Sequence, residues 1–306
     1  MLPQMKLSGL FTAMCTPFRA GRLDEEGLRD NLRFQIRHDV DGVLILGTTG
    51  EHPTLSEAEC IRVIEITVEE AKGRIHVMVG AGANSTEATI AEVERAHDLG
   101  ADSVNIVAPY YNRPTQKGLF HHFEAICAKG LLPVCIYNIP SRTGVNIEPL
   151  TLREIAALPG VIGVKESSGN AVQMAEILHH LRGEEMAFSV LSGDDAMTLP
   201  LIALGGDGLV SVLSNLLPKE VGAMVRAALN NRWSEARDLY YELLPLIKAI
   251  FFETNPIPIK EAMTLCGMAA GPCRLPLTPM SEPHRASLER LLLDAGVIRM
   301  MAPVPR

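Results

Sequence analysis

Val161-Ile162-Gly163-Val164-Lys165-Glu166-Ser167-Ser168-Gly169 is an apolar run that ends in a charge and then in turn-forming residues. Bounded by Pro159-Gly160 on one side and Ser167-Ser168-Gly169 on the other, it reads as a buried strand with Lys165 at its carboxyl end. A lysine there is either an ammonium that snorkels to the surface or pairs with a carboxylate, or a desolvated amine that attacks a carbonyl and forms a Schiff base. The strand alone leaves both readings open.

Working outward, the same unit recurs. Strand-like runs at Leu10 to Cys15, Gly42 to Leu46, His76 to Gly80, Ser103 to Ala108, Pro133 to Tyr137, Phe188 to Leu191 and Gly208 to Val212 are each followed by a helical pattern. Asp24-Glu25-Glu26 places acids in the first turn of one helix, Ser56 caps another, and Pro218 starts the last. About eight strand-then-helix units in roughly 230 residues, with Val/Ile-rich strands that do not alternate, predict a parallel sheet covered on its outer face. The economical solution is a closed (β/α)8 TIM barrel, with a doubly wound open sheet as the alternative. After Asn230 the strand pattern stops. Helical patterns at Trp233 to Phe252, Pro258 to Met268 and Ser281 to Leu293 are joined by Pro- and Gly-rich stretches. Residues 1–230 are therefore read as a catalytic barrel and 231–306 as a C-terminal helical appendage, which covers the barrel or meets another subunit.

The bulk numbers exclude several classes. The chain has 306 residues, 47% hydrophobic and 21% charged, which is ordinary globular composition. A net charge of −8 with no basic cluster argues against a nucleic-acid partner. Six cysteines without a C-x-x-C pair suit a reducing compartment, and no apolar stretch reaches the ~18 residues of a membrane span. Met1 to Leu10 lacks the pattern of a signal peptide, so a soluble cytoplasmic protein without a membrane partner is expected.

In such a barrel the chemistry sits at the carboxyl ends of the strands. Thr48 and Thr49 follow the second strand, Tyr111 the fourth, Tyr137 and Arg142 the fifth, and Lys165 ends the sixth. An amine, two phenols, threonine hydroxyls and a guanidinium on one rim suit carbonyl chemistry on carboxylate-bearing substrates. The amine forms an imine, hydroxyls move protons, and the planar guanidinium grips a carboxylate. Each residue alone has a plainer explanation as a barrel-mouth or loop side chain. Their joint placement favours the catalytic one.

Gly47-Thr48-Thr49-Gly50-Glu51, Pro109-Tyr110-Tyr111-Asn112-Arg113-Pro114, Tyr137-Asn138-Ile139-Pro140-Ser141-Arg142-Thr143-Gly144, Gly163-Val164-Lys165-Glu166 and Ser192-Gly193-Asp194-Asp195 resemble the motifs of the dihydrodipicolinate synthases, as do Asn255-Pro256-Ile257-Pro258-Ile259-Lys260 and Arg274-Leu275-Pro276-Leu277-Thr278-Pro279. The resemblance covers nearly the whole chain in order. It implies a lyase of lysine and diaminopimelate biosynthesis that condenses pyruvate with aspartate 4-semialdehyde to give 4-hydroxy-tetrahydrodipicolinate, with no metal and no cofactor beyond the imine on Lys165. By position, Tyr137 would transfer protons, and Thr48 would link it to Tyr111 of a neighbouring subunit. Thr49 would hold the pyruvate carboxylate, Arg142 the second carboxylate, and Gly193 and the main chain of Val210 would line the pocket. The implied assembly is a homotetramer built as a dimer of tight dimers. N-acetylneuraminate lyase and keto-deoxy-sugar-acid aldolases share the lysine and tyrosine and form the alternative; a keto-acid-binding barrel without turnover is the third reading.

One departure concerns regulation. Lysine-inhibited relatives commonly carry serine, alanine and two histidines where this chain has His52, Pro53, Glu57 and Cys60, and a glutamate at the position of Ala88. Asn84 and Tyr110 remain as possible effector-site positions together with His52, so weak or absent feedback by lysine is expected. Gly205-Gly206-Asp207-Gly208 precedes a strand and reads as a structural turn rather than a phosphate site.

Overall fold

The computed structural model describes residues 5–183 and 187–298. Residues 1–4 of the N-terminal segment read above as lacking a leader, and residues 299–306 of the stretch assigned to the appendage, lie outside the described residues. The strands are β1 Gly9–Ala13, β2 Phe18–Arg19, β3 Arg22–Leu23, β4 Gly42–Ile45, β5 His76–Ala81, β6 Ser103–Val107, β7 Val134–Asn138, β8 Val161–Glu166, β9 Ser189–Ser192 and β10 Gly208–Ser211. Among the described residues, all but the β2–β3 pair are parallel and join side by side in chain order. β10 returns to β1 through Gly9↔Gly208 and Leu10↔Leu209 and closes the barrel. That pairing excludes the open sheet.

The helices are α1 Glu25–Arg37, α2 Glu57–Ala71, α3 Thr86–Asp98, α4 Gln116–Cys127, α5 Pro140–Thr143, α6 Pro149–Ala156, α7 Ala171–Leu181, α8 Thr198–Ala203, α9 Pro218–Leu229, α10 Trp233–Ala249, α11 Ile257–Leu265 and α12 Glu282–Asp294. Their starts follow from capping chemistry. The Asp24 side chain accepts from Gly27 N, and Ser56 with Glu59 forms a reciprocal capping box that satisfies two otherwise orphaned donors at the start of α2. The strands are buried on both faces, hence their lack of alternation. Phe11, Ala13, Leu44, Met78, Cys135, Leu191 and Val210 fill the barrel interior, while Val43, Ile45, Val79, Val104, Ile136, Val164 and Val190 meet the helices.

The β2–β3 hairpin is absent from the sequence reading. Strands of two residues carry no usable periodicity, and its turn relies on Ala20 and Gly21, both at positive φ. The hairpin helps to seat the C-terminal helices: Phe18 N donates to Ala270 O at 2.9 Å, and Asn31 Nδ2 in α1 donates to Ala269 O at 2.7 Å. α10 packs along α9, and α11 against α12. Of the two placements open for the appendage, covering the barrel is observed, with its 252–256 joint at the carboxyl-end rim. Asp207 is a structural turn residue: its carbonyl receives Gly9 N at 2.9 Å and its carboxylate receives Val190 N at 2.9 Å, tying three strand starts together.

No helix among the described residues is long and apolar enough to cross a membrane. Cys15, Cys60 and Cys135 are buried free thiols. Burial pushes Cys15 and Cys135 up to about 12, which keeps them in the unreactive thiol form.

Candidate active site

Alternation along β8 sets the geometry. Val164 and Glu166 face the helices, so Lys165 projects into the barrel, in register with Tyr137 of β7. The Lys165 side chain is 5% exposed, with Nζ 4.2 Å from the centre of the Tyr137 ring. Among the described residues no carboxylate lies within ion-pair distance of it. The snorkelling and paired-lysine readings both fail. What remains is a desolvated amine held against an aromatic face.

The space around that amine depends on Gly193, just past β9. A Cβ built there would come within 2.8 Å of Lys165 Cε and collide with the Ser167 hydroxyl. Gly193→Ala is therefore expected to lower the yield of borohydride-trapped pyruvate adduct by roughly 100-fold, the scale of a misplaced reacting group, while the folded fraction measured by circular dichroism stays unchanged.

Thr48 and Thr49 lie in a tight double turn after β4. Leu46 and Glu51 bracket it at positive φ, with Gly50 N donating to Gly47 O and Glu51 N to Thr48 O. The Thr49 hydroxyl is buried and accepts from Asn255 Nδ2 at 2.9 Å, which leaves its own proton free to donate. Arg142 sits on the single-turn helix α5 and donates to the main-chain oxygen of Asn255 at 3.3 Å. Asn255 thus touches both expected carboxylate-binding residues from the C-terminal side. The sequence reading took it only as part of a proline-rich joint, since nothing local marks a contact spanning 206 positions.

Thr48, Tyr137, Arg142, Asn255, His52 and Tyr110 share the wall of one cavity of about 490 Å³. Lys165 and Thr49 adjoin that wall through the Tyr137 ring and Asn255, Gly193 abuts Lys165, and the Val210 side chain belongs to the barrel interior. Among the described residues, Ser167 Oγ and Asn255 Oδ1 are buried without a hydrogen-bond partner, so both retain capacity for a polar ligand. Asp195, just past β9, is buried. It accepts from Ser211 Oγ at 2.5 Å and Val212 N at 3.0 Å, pinning the turn that follows Val210. Burial pushes its carboxyl up to about 6, with these hydrogen bonds opposing the shift.

Tyr111 is not brought to this cavity. Its side chain is 88% exposed, its backbone sits at φ +71, and Arg113 follows at φ +47. Asn84 is engaged through its carbonyl, which accepts from Asn112 Nδ2 at 2.7 Å. His52 stands 3.9 Å from Glu92 across the outer part of the cavity. Among the described residues no group of three His, Cys, Asp or Glu side chains converges to hold a metal ion.

A barrel that buries one unpaired amine beside a phenol at its carboxyl-end rim defines an imine-forming enzyme of the aldolase type, because the amine is the nucleophile such a site offers a carbonyl. The relationships of the chain narrow this further. It belongs to the dihydrodipicolinate synthetase family, whose profile matches residues 6–295. It is 50% identical over 289 residues to the 4-hydroxy-tetrahydrodipicolinate synthase of Protochlamydia amoebophila, covering 94% of this chain and 96% of that one. It is 46% identical over 291 residues to the enzyme of the same name from Methanocaldococcus jannaschii, covering 95% and 99%. The crystal structure of dihydrodipicolinate synthase from Thermotoga maritima superposes with a TM-score of 0.94 at 40% identity, covering 96% of this chain and 100% of that one.

Proposed function

We propose that this protein condenses pyruvate with L-aspartate 4-semialdehyde to give 4-hydroxy-tetrahydrodipicolinate, in lysine and diaminopimelate biosynthesis. The observation that carries the reading is the buried, unpaired Lys165 in register with Tyr137. The Lys165 amine adds to the keto carbon of pyruvate, and loss of water leaves an imine. Loss of a methyl proton gives the enamine, whose carbon attacks the aldehyde of the second substrate. The amino group of that substrate then displaces Lys165 from the imine carbon, closing the ring and regenerating the amine. One water leaves overall.

Tyr137 carries protons to and from the reacting atoms, with Thr48 linking it onward. Thr49 holds the pyruvate carboxylate, its hydroxyl aimed by Asn255, and Arg142 holds the carboxylate of the semialdehyde by two parallel hydrogen bonds. Gly193 and the main chain of Val210 complete the pocket. Tyr111 acts in trans: its exposure supports donation into the site of a tight-dimer partner, two such dimers making a homotetramer. Tyr111→Phe is expected to lower kcat about 10- to 100-fold with the imine still trapped by borohydride, as for loss of a proton-transfer group. Loss of trapping in that variant would reverse the roles given to the two tyrosines, and sedimentation equilibrium tests the assembly.

Borohydride trapping with pyruvate, followed by supply of either aspartate semialdehyde or N-acetylneuraminate, tests the reading. A Lys165 adduct with turnover of the semialdehyde supports the synthase. Cleavage of the sugar acid instead supports the aldolase alternative, and no adduct on folded protein leaves a barrel that only binds keto acids.

Weak or absent feedback by lysine belongs to the same proposal. Glu57 is ion-paired to Arg95 and Cys60 is buried in the core, so neither offers a group to an effector's ammonium, and Ala88 offers none. Of the expected effector positions, His52 and Tyr110 line the cavity, and Asn84 is held through its carbonyl by Asn112. Initial rates are expected to be unchanged at submillimolar lysine.

A further inference from the structure

β8 sends two ionisable side chains to opposite faces at its carboxyl end. Lys165 enters the barrel, and Glu166 turns outward beneath the loop that follows β7, fully buried. Among the described residues no cation comes within ion-pair distance of Glu166. A buried carboxylate without a counter-charge is costly unless neutral donors surround it. Here they do. Ser168 N donates to one oxygen at 2.7 Å, Asn138 Nδ2 to the other at 2.9 Å, and Gln173 Nε2 approaches both at 3.4 Å.

These donors form a network. Asn138 Nδ2 also donates to Asn146 Oδ1 at 2.9 Å, Asn146 Nδ2 donates to Gln173 Oε1 at 2.8 Å, and Gln173 Nε2 returns to Asn146 Oδ1 at 3.1 Å. Asn138 Oδ1 accepts from Ile147 N at 3.0 Å. Carboxamides donate and accept, so three of them in contact could be arranged with either sense. A carboxylate only accepts. Glu166 on one side, an acceptor only, and the Ile147 N–H on the other, a donor only, therefore hold Asn138 with its amino group inward and its carbonyl to Ile147 N. That last bond closes the loop between Asn138 and Ile147, the segment on which Arg142 rides, against the strand that carries Lys165.

We propose that Glu166 is a positioning residue for the second substrate: its acceptor-only carboxylate sets the sense of the Asn138, Asn146 and Gln173 amides and thereby the place of Arg142 relative to Lys165. The proposal rests on the reading that Arg142 holds the semialdehyde carboxylate. It assigns Glu166 no contact with substrate and no proton to move.

The test is Glu166→Gln in the full chain, a change that keeps volume and sets an amino group among donors. The expected result is a KM for aspartate semialdehyde raised about 10- to 100-fold, with the KM for pyruvate and the fraction trapped by borohydride unchanged. Adding Asn138→Asp exchanges the donor and the acceptor, lets the Asn146 amide turn over, and is expected to restore the semialdehyde KM to within about threefold of the parent, inside the spread of a coupled pair. An unchanged semialdehyde KM in the single variant, or a parallel rise in both KM values, overturns the proposal. If the single variant does not fold, the exchanged pair decides alone: parental constants support the proposal, and a folded pair with a high semialdehyde KM overturns it. Arg142→Ala measured alongside separates the two levels, since an unchanged semialdehyde KM there removes the reading of Arg142 whatever Glu166 does.

Discussion

Lys165→Met is expected to abolish borohydride trapping of pyruvate and to lower kcat by roughly 10⁵-fold or more, since a held nucleophile acts at effective molarities of that order and above. Methionine keeps the unbranched volume and removes the amino group. The Lys165 amino group is buried, with no carboxylate near it among the described residues and the Tyr137 ring at 4.2 Å. Its removal relieves a desolvation that the Tyr137 ring offsets only in part, so the variant is expected to melt at the same temperature as the parent or higher. Loss of activity with loss of stability would mean that the lysine is structural. Calorimetry and trapping on the same preparation decide between the two.

The second large effect falls on a lysine of the opposite kind. Lys260, on α11, is 2% exposed, and its Nζ donates to Glu51 Oε1 at 2.6 Å and Thr16 O at 3.0 Å above the Phe18 ring. The other Glu51 oxygen accepts from Arg274 N at 2.9 Å. Both charges are fully compensated, so removing one strands the other. Lys260→Met is expected to cost about 3–5 kcal/mol of unfolding free energy in urea, the range for breaking a buried pair, and Glu51→Gln in the same chain is expected to recover most of it. Glu51 follows directly on the Thr48-Thr49-Gly50 turn. The single variant should therefore also raise the KM for pyruvate, which a loss confined to the appended helices would not do.

These two lysines mark how far the sequence could be read. Lys165 was legible because a strand ending in a charge, repeated among strand-helix units, has one place to go in a parallel barrel. Tyr137, Thr48 and Arg142 follow from the same rule, and all three line one cavity, with Lys165 against the Tyr137 ring. Strand limits moved by a residue or so, as at β7, which runs Val134–Asn138, because hydrogen bonding rather than composition ends a strand. Lys260 gave no such sign. Its helix reads as one more amphipathic segment, and its partner lies 209 positions away. Asn255 is in the same case, and so is Glu166, whose neighbour in sequence drew attention to the wrong face of β8. Tyr111 was placed on the same rim by the same rule, and only its role across subunits came through family resemblance; within one chain it faces solvent.

The strand-helix repeat and the rim on which chemistry sits were written in local terms: runs of Val and Ile between capped helices, and polar residues where those runs stop. Such features need only near neighbours, which is why a linear reading reaches them. Closure against an open sheet was decided by the pairing of β10 with β1. Which groups hold the rim in place was settled by folding alone. The Asn255 bridge to Thr49 and Arg142, the Glu51 and Lys260 pair, and the amide ring around Glu166 join segments far apart in the chain. Their partners become neighbours when the barrel closes and the appended helices come down on its rim, because burial then leaves each polar atom only the partners that packing supplies.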